Sequence, residues 1–235
     1  VISLPPMRYS IKKVLSWFLC ALARYRLGRS HTVVVAVAGI VGKSTAKRTV
    51  AKKLKKFGEV FVSKKNYNTE IGLPLTLLDL EPPYSQTVGE WGTILYRAFV
   101  RAFFSPPLPR LAVVEFGVAE KGDMLQLLKI VTPIVAVITN ISVSDFNSQT
   151  TLEDLSIEFA VLAASVPKQG LVVLNGDNNY AKIVKSAAKA RIITYGAKEG
   201  NEVHPVAPKV MSSASDTATL AATIISDFIS QRGTP

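Results

Sequence analysis

Along this chain, short unbroken apolar runs alternate with stretches in which apolar residues recur every three or four positions. The runs are VVVAVA ending at Ala38, EVFVS from Glu59, LAVVEFG (111–117), PIVAVITN (133–140), GLVVLN (170–175) and ARIITY (190–195). The last four show no inside/outside alternation, which predicts strands covered on both faces rather than strands with one wet side. Helical patterns fill the gaps at 43–57, 71–80, 91–104, 122–130, 151–165 and 178–189, with a further candidate at 216–231. Alternation of this kind predicts an α/β fold of three layers, a mostly parallel sheet with helices on both faces. Pro82-Pro83 and the Pro106–Pro109 stretch mark loops around the helix that carries Trp91.

The leader has its own pattern. Between residues 11 and 27, Ile11, Val14, Leu15, Phe18, Leu22 and Tyr25 fall at spacings of three and four, with Lys12, Lys13, Arg24 and Arg26 outside that set. Residues 14–23 superficially resemble a secretory signal, but the run is short and Arg24, Arg26 and Arg29 follow at once. The expected element is a basic amphipathic helix over residues 1–30, docked on the domain or on an anionic membrane surface and not crossing a bilayer. The chain begins at Val1, so it reads as a fragment or a processed product.

Composition narrows the class. With 48% hydrophobic and 19% charged residues over 235 positions, the chain has the make-up of a core-forming globular protein and not of a disordered or collagenous one. One cysteine, Cys20, and two histidines allow no internal disulfide and no Cys/His zinc cage, and predict a reducing, cytoplasmic setting. The net charge of +11 is local: residues 1–65 hold 15 Lys/Arg against the single acid Glu59, and the remainder holds 13 against 16. Such a block suits a polyphosphate, anionic lipid or nucleic acid, while the lysines between 47 and 56 read equally well as a solvated helix face. Only Phe57 and Phe61 are interleaved with the lysines of 43–65, too few for base-stacking platforms, which argues against nucleic acid.

The sharpest motif follows the first strand. Ala38-Gly39-Ile40-Val41-Gly42-Lys43-Ser44-Thr45 leads straight into a helix, the arrangement of a P-loop NTPase-like phosphate site. Glycines let successive N–H groups curl toward phosphates, the helix N-terminus adds partial positive charge, Lys43 reaches the β- and γ-phosphates, and the Ser44 hydroxyl suits Mg²⁺. The loop is shorter than the full G-x-x-x-x-G-K-[ST] pattern, because position 37 is valine. Glu115 ends a strand where ligands bind in open α/β sheets, and it can share Mg²⁺ with Ser44. Asn140 closes the next strand, as a further nucleotide contact or as a simple turn residue.

Five segments together resemble the Mur ligases, the ATP-dependent amide-bond ligases of peptidoglycan precursor synthesis, and within them the branch that adds D-alanyl-D-alanine. They are AGIVGKST (38–45), NYNTEIGLPLTLL (66–78), VVEFGVAEKGDM (113–124), PIVAVITNIS (133–142) and GLVVLNGDNN (170–179). The resemblance implies a Mur-ligase-like ATP-binding domain over 31–198, with 199–235 a linker and the terminal helix of that domain. It implies ATP and Mg²⁺ as cofactors, and as partners a UDP-muramoyl peptide, phosphorylated on a carboxylate, and an amine such as D-alanyl-D-alanine. Lys43 and Glu115 would be catalytic. Gly39, Ile40, Val41, Gly42, Lys43, Ser44, Thr45, Asn68 and Asn140 would hold the nucleotide, and Ser44, Glu115 and Asp145 the metal.

The sequence departs from the family in places. Asp145 stands where a metal-site histidine is expected, and Phe159 where many members carry a carbamylated lysine. Glu158 is adjacent but about 100° away around a helix. The chain alone is therefore expected to bind nucleotide without completing a ligase cycle. A catalytically reduced nucleotide-binding partner or scaffold is the alternative reading.

Overall fold

The computed structural model describes residues 9–63, 68–84, 87–141, 151–204 and 214–232. The alternation of runs becomes β1 (Val33–Ala38), α2 (Lys43–Leu54), β2 (Val60–Val62), α3 (Gly72–Leu77), α4 (Val88–Phe104), β3 (Leu111–Glu115), α5 (Asp123–Leu128), β4 (Val135–Ile138), α6 (Leu152–Ser165), β5 (Leu171–Asn175), α7 (Ala181–Ala187), β6 (Arg191–Tyr195) and α8 (Ala214–Gln231), preceded by α1 (Tyr9–Ser30). Local chemistry sets several ends. Thr87 caps α4 through Glu90 N–H, and Thr151 and Asp154 form a reciprocal capping box at the start of α6.

The six strands form one parallel sheet in the order β2-β3-β1-β4-β5-β6. β1, β3, β4 and most of β5 are buried on both sides, as their unbroken apolar runs require. α2 and α8 cover one face, where Ala46, Val50 and Leu54 meet Val35, Val37 and the α8 residues Ala221, Ala222 and Ile225. α1, α3, α4, α5, α6 and α7 serve the opposite face around Leu73, Trp91, Phe116 and Phe159. The three-layer α/β expectation holds.

The leader helix docks on the domain beside α3 and α4, with a face that shares Leu15 and Leu22 with the stripe the spacing suggests but is rotated away from the rest of it. Its buried side comprises Leu15, Leu19, Leu22, Ala23, Arg26, Leu27 and Ser30, whereas Val14, Phe18 and Tyr25 of the expected stripe are exposed. Apolar and polar residues are spread around this helix without one dominant stripe, so periodicity alone could not choose the docking face. Arg26, expected outside, is buried: its Nη1 donates to Leu77 O at 2.8 Å, and desolvation, opposed by Asp79, holds its guanidinium below the usual arginine range. No helix among the described residues is long and apolar enough to cross a membrane.

Candidate functional site

The site begins where the sheet's connections diverge. β1 lies between β3 and β4; the chain leaves β1 toward α2 on one face and leaves β3 toward α5 on the other. The carboxyl ends of β1 and β3 therefore border a crevice, the place where ligands bind in open parallel sheets.

The loop between β1 and α2 is tightly tied from one side. Ile40 N–H donates to Asn140 O at 2.8 Å, and the Thr139 hydroxyl spans Ala38 O (3.2 Å) and Val41 O (2.8 Å). Gly39 has φ 133°, and a Cβ there would stand 2.1 Å from Thr139 Oγ1, so both the backbone and the space demand glycine. Gly42, at φ 89°, turns the chain into α2. Lys43 Nζ donates to Ile40 O at 2.9 Å across this small arch, and burial pushes its ammonium below the ordinary lysine range, with Glu115 opposing the shift.

Glu115 is the hub of the crevice. It is buried, its Oε2 accepts from Ser44 Oγ at 3.1 Å and pairs with Lys47 Nζ at 3.1 Å, and its Oε1 accepts from Asn68 Nδ2 at 3.3 Å. Asn68 can come this close because residue 117 is glycine: a Cβ there would lie 2.5 Å from Asn68 Cγ, and Gly117 N–H instead donates to Asn68 O at 2.9 Å. The donor set fits Mg²⁺, since a hydroxyl and a carboxylate side by side are hard oxygen ligands and this cation keeps its other positions for phosphate and water.

The structure thus brings together Gly39, Ile40, Val41, Gly42, Lys43, Ser44, Glu115 and Asn68, with Thr45 half-buried in the first turn of α2. Asn140 reaches the loop through its backbone, while its side-chain Oδ1 accepts from Asn178 Nδ2 at 3.2 Å. Asp145 lies outside the described residues. Phe159 is buried in the core beneath α5 and α6. Glu158 is engaged elsewhere: Oε1 accepts from Gly122 N–H at 2.7 Å and Oε2 from Met124 N–H at 2.8 Å, so both oxygens close off the start of α5.

Lys47 is the residue that sequence reasoning missed. Arg48, Lys52, Lys53, Lys55 and Lys56 are solvated as a helix face should be, but Lys47 is buried against Glu115. A signal was present: Lys47 shares the inward side of α2 with Ala46, Val50, Ala51 and Leu54, one turn beyond Lys43.

Comparison with known proteins agrees with this fold. The Mur ligase middle domain matches residues 37–229. The UDP-N-acetylmuramoyl-tripeptide–D-alanyl-D-alanine ligase of Synechocystis sp. is 30% identical over 177 residues, covering 73% of this chain and 32% of that protein. Among solved structures, MurF from Acinetobacter baumannii superposes with a TM-score of 0.69 at 20% identity, over 90% of this chain and 46% of that one. MurF ligase from Thermotoga maritima, solved in complex with ADP, gives 0.61 at 26% identity over 80% and 38%. The chain spans about a third of the length of the curated relatives it matches. A match that runs from the end of β1 almost to the end of α8 accounts for most of the described fold: the chain belongs to the Mur ligase family, through its middle domain.

Proposed function

We propose that this chain is the nucleotide-binding and phosphoryl-transfer part of an ATP-dependent amide-bond ligase of peptidoglycan precursor synthesis, with a UDP-muramoyl peptide and D-alanyl-D-alanine as substrates. The observation that carries the reading is the meeting of Ser44 and Glu115 under a glycine loop at the sheet's switch point. In the reaction, a carboxylate of the peptide takes the γ-phosphoryl group of ATP, giving an acyl phosphate and ADP. The incoming amine then attacks the acyl carbon, loses a proton and expels phosphate.

Such a transfer asks the protein for position and compensating charge rather than covalent chemistry. The N–H groups of residues 42–45, at the α2 N-terminus, cradle the phosphates. Lys43, pre-bent over the loop carbonyl of Ile40, swings its ammonium to the β/γ oxygens. Ser44, Glu115 and, on the resemblance, Asp145 would hold Mg²⁺, which would supply charge neutralisation. Lys47 and Asn68 fix the Glu115 carboxylate from two sides. Asn140 anchors the loop from below and lies at the nucleotide's edge of the crevice.

Titration of the chain with Mg²⁺ and a non-hydrolysable ATP analogue tests this. Lys43→Ala is expected to weaken binding about tenfold or more, the loss of a charged hydrogen bond, and equal affinity of the two proteins would overturn the assignment.

A second reading, a nucleotide-binding partner or scaffold with reduced catalysis, draws support from Phe159 in the core and from Glu158 bound to backbone N–H groups. The two readings part on one assay: amide formation from Mg²⁺-ATP, UDP-muramoyl tripeptide and D-alanyl-D-alanine when residues 31–235 replace the middle domain of a relative that adds D-alanyl-D-alanine, since the chain alone is expected to bind nucleotide without completing the cycle. Turnover at about 1 s⁻¹ or more supports the ligase; nucleotide binding with no product supports the scaffold.

A further inference from the structure

The outer surface of α1 and α4 breaks the usual pattern of a domain face. Trp17 is 69%, Tyr96 71% and Phe104 75% exposed, and Val14, Phe18, Tyr25, Phe99 and Phe103 are also open to solvent. Four of these rings form a connected ridge across the two helices. The Tyr25 ring stacks on Phe103 with centroids 4.4 Å apart, Phe103 lies 4.7 Å from Phe99, and Phe99 lies 6.4 Å from Phe104. Scattered surface apolar residues need no explanation, but a contiguous aromatic ridge on two packed helices marks an interaction site.

Charge selects the kind of partner. α1 contains no acidic residue, and α4 has only Glu90, in its first turn. Lys13 and Arg24 are exposed on α1, and Arg97 is exposed on α4. The acids at the margins of this face are Asp79, Glu81 and Glu90, in a groove they share with Tyr96, Arg97 and Arg101, where Arg101 reaches Asp79 at 3.9 Å, and Glu70, in the α1–α5 groove it shares with Trp17, Lys13, Arg24 and Lys129. Aromatic rings flanked by cations, on helices too polar to cross a bilayer, are the physical description of a surface that rests in the headgroup region of an anionic membrane. There the rings take the interfacial layer and each nearby cation adds attraction to acidic lipid.

We propose that the α1–α4 face is a peripheral docking surface for an anionic lipid bilayer. It shares no residue with the Ser44–Glu115 crevice and does not depend on the reaction assigned there. The lipid headgroup, not a free phosphate, is the partner, because the rings require an apolar layer beneath the charge.

The test is flotation of the 235-residue chain with phosphatidylcholine vesicles, with and without phosphatidylglycerol. Binding is expected only to the vesicles that contain phosphatidylglycerol, to weaken with salt, and to shift Trp17 emission to the blue, Trp91 being buried in the core. Lys13→Glu with Arg97→Glu should reduce binding by about fivefold or more per reversed charge. Trp17→Ser with Phe104→Ser should abolish the blue shift. Nucleotide affinity, unchanged in both pairs, confirms that each variant folds. Failure to float, or equal flotation with pure phosphatidylcholine, overturns the proposal. So does a concentration-dependent dimer in solution that the aromatic variants dissolve, which would assign the ridge to a second copy of the chain.

Discussion

The crevice and the α1–α4 face depart from hydrophobic patterning in opposite directions. At the crevice, a carboxylate and an ammonium are withdrawn from water and pressed together, Glu115 against Lys47. On the helical face, rings that could have been buried are left in water. Each departure is costly in isolation: desolvating an ion pair takes several kcal/mol that the attraction must return, and exposed rings invite association. The lesson of setting them side by side is that the first is compensated within the fold, by Ser44, Asn68 and Lys47 around one carboxylate, whereas the second has no compensation among the described residues. Substitutions should therefore be felt in stability at the crevice and hardly at all on the ridge.

The largest effect expected is at the ion pair. Glu115→Ala strands the Lys47 ammonium in the interior and should destabilise the fold by about 3–5 kcal/mol in urea unfolding. Combining Lys47→Met with Glu115→Leu should restore most of that stability while leaving nucleotide binding lost. If the double variant is no more stable than Glu115→Ala, the pair's geometry rather than its stranded charge governs this region. Next comes Gly39→Ala, which meets Thr139 and a left-handed backbone together; about 2–3 kcal/mol is expected, with loss of nucleotide binding. Thr139→Ser keeps the hydroxyl and should relieve little of it. The smallest effect belongs to the α1–α4 face, where Trp17→Ser or Phe104→Ser should change stability by no more than about 0.5 kcal/mol. A loss of 2 kcal/mol or more, on the scale of a buried ring, would show that the ridge is part of the core and erase the contrast.

How much of this was legible in the sequence follows the physics of each feature. Strands buried on both faces announce themselves as unbroken apolar runs, so β3, β4 and β5 were readable. ARIITY reads the same way, yet β6 is an edge strand with Arg191 exposed and Ile192 and Ile193 half-buried. Which strand pairs with which was not readable, because parallel neighbours are joined through helices and carry no local pairing signal. Ser44 and Glu115 were legible since each sits at a fixed place relative to a strand end. Lys47 was hidden by a sound generalisation, that lysines on a helix face water, which fails when a buried acid waits one turn from the phosphate loop. Glu158 escaped for the same kind of reason: an acid in mid-helix gives no hint that it will bond the N–H groups of Gly122 and Met124 on another element. The docking side of α1 was ambiguous because Val14, Phe18 and Tyr25 are as apolar as the residues that were chosen for burial.

The layer formed by α2 and α8 has a consequence for biosynthesis. The helix that starts at the phosphate loop precedes the helix that covers it by five strands and five helices, so their shared cluster of Val50, Ala51, Leu54, Ala221, Ala222 and Ile225 cannot close until translation has delivered α8. Domains form from the N-terminus as the ribosome elongates them, and here the sheet and its opposite helices can assemble while one apolar face still waits for its cover. The nascent chain thus carries an open flank beside its most chemically specialised loop from the synthesis of α2 until that of α8. That interval is when holdase chaperones have the most to protect.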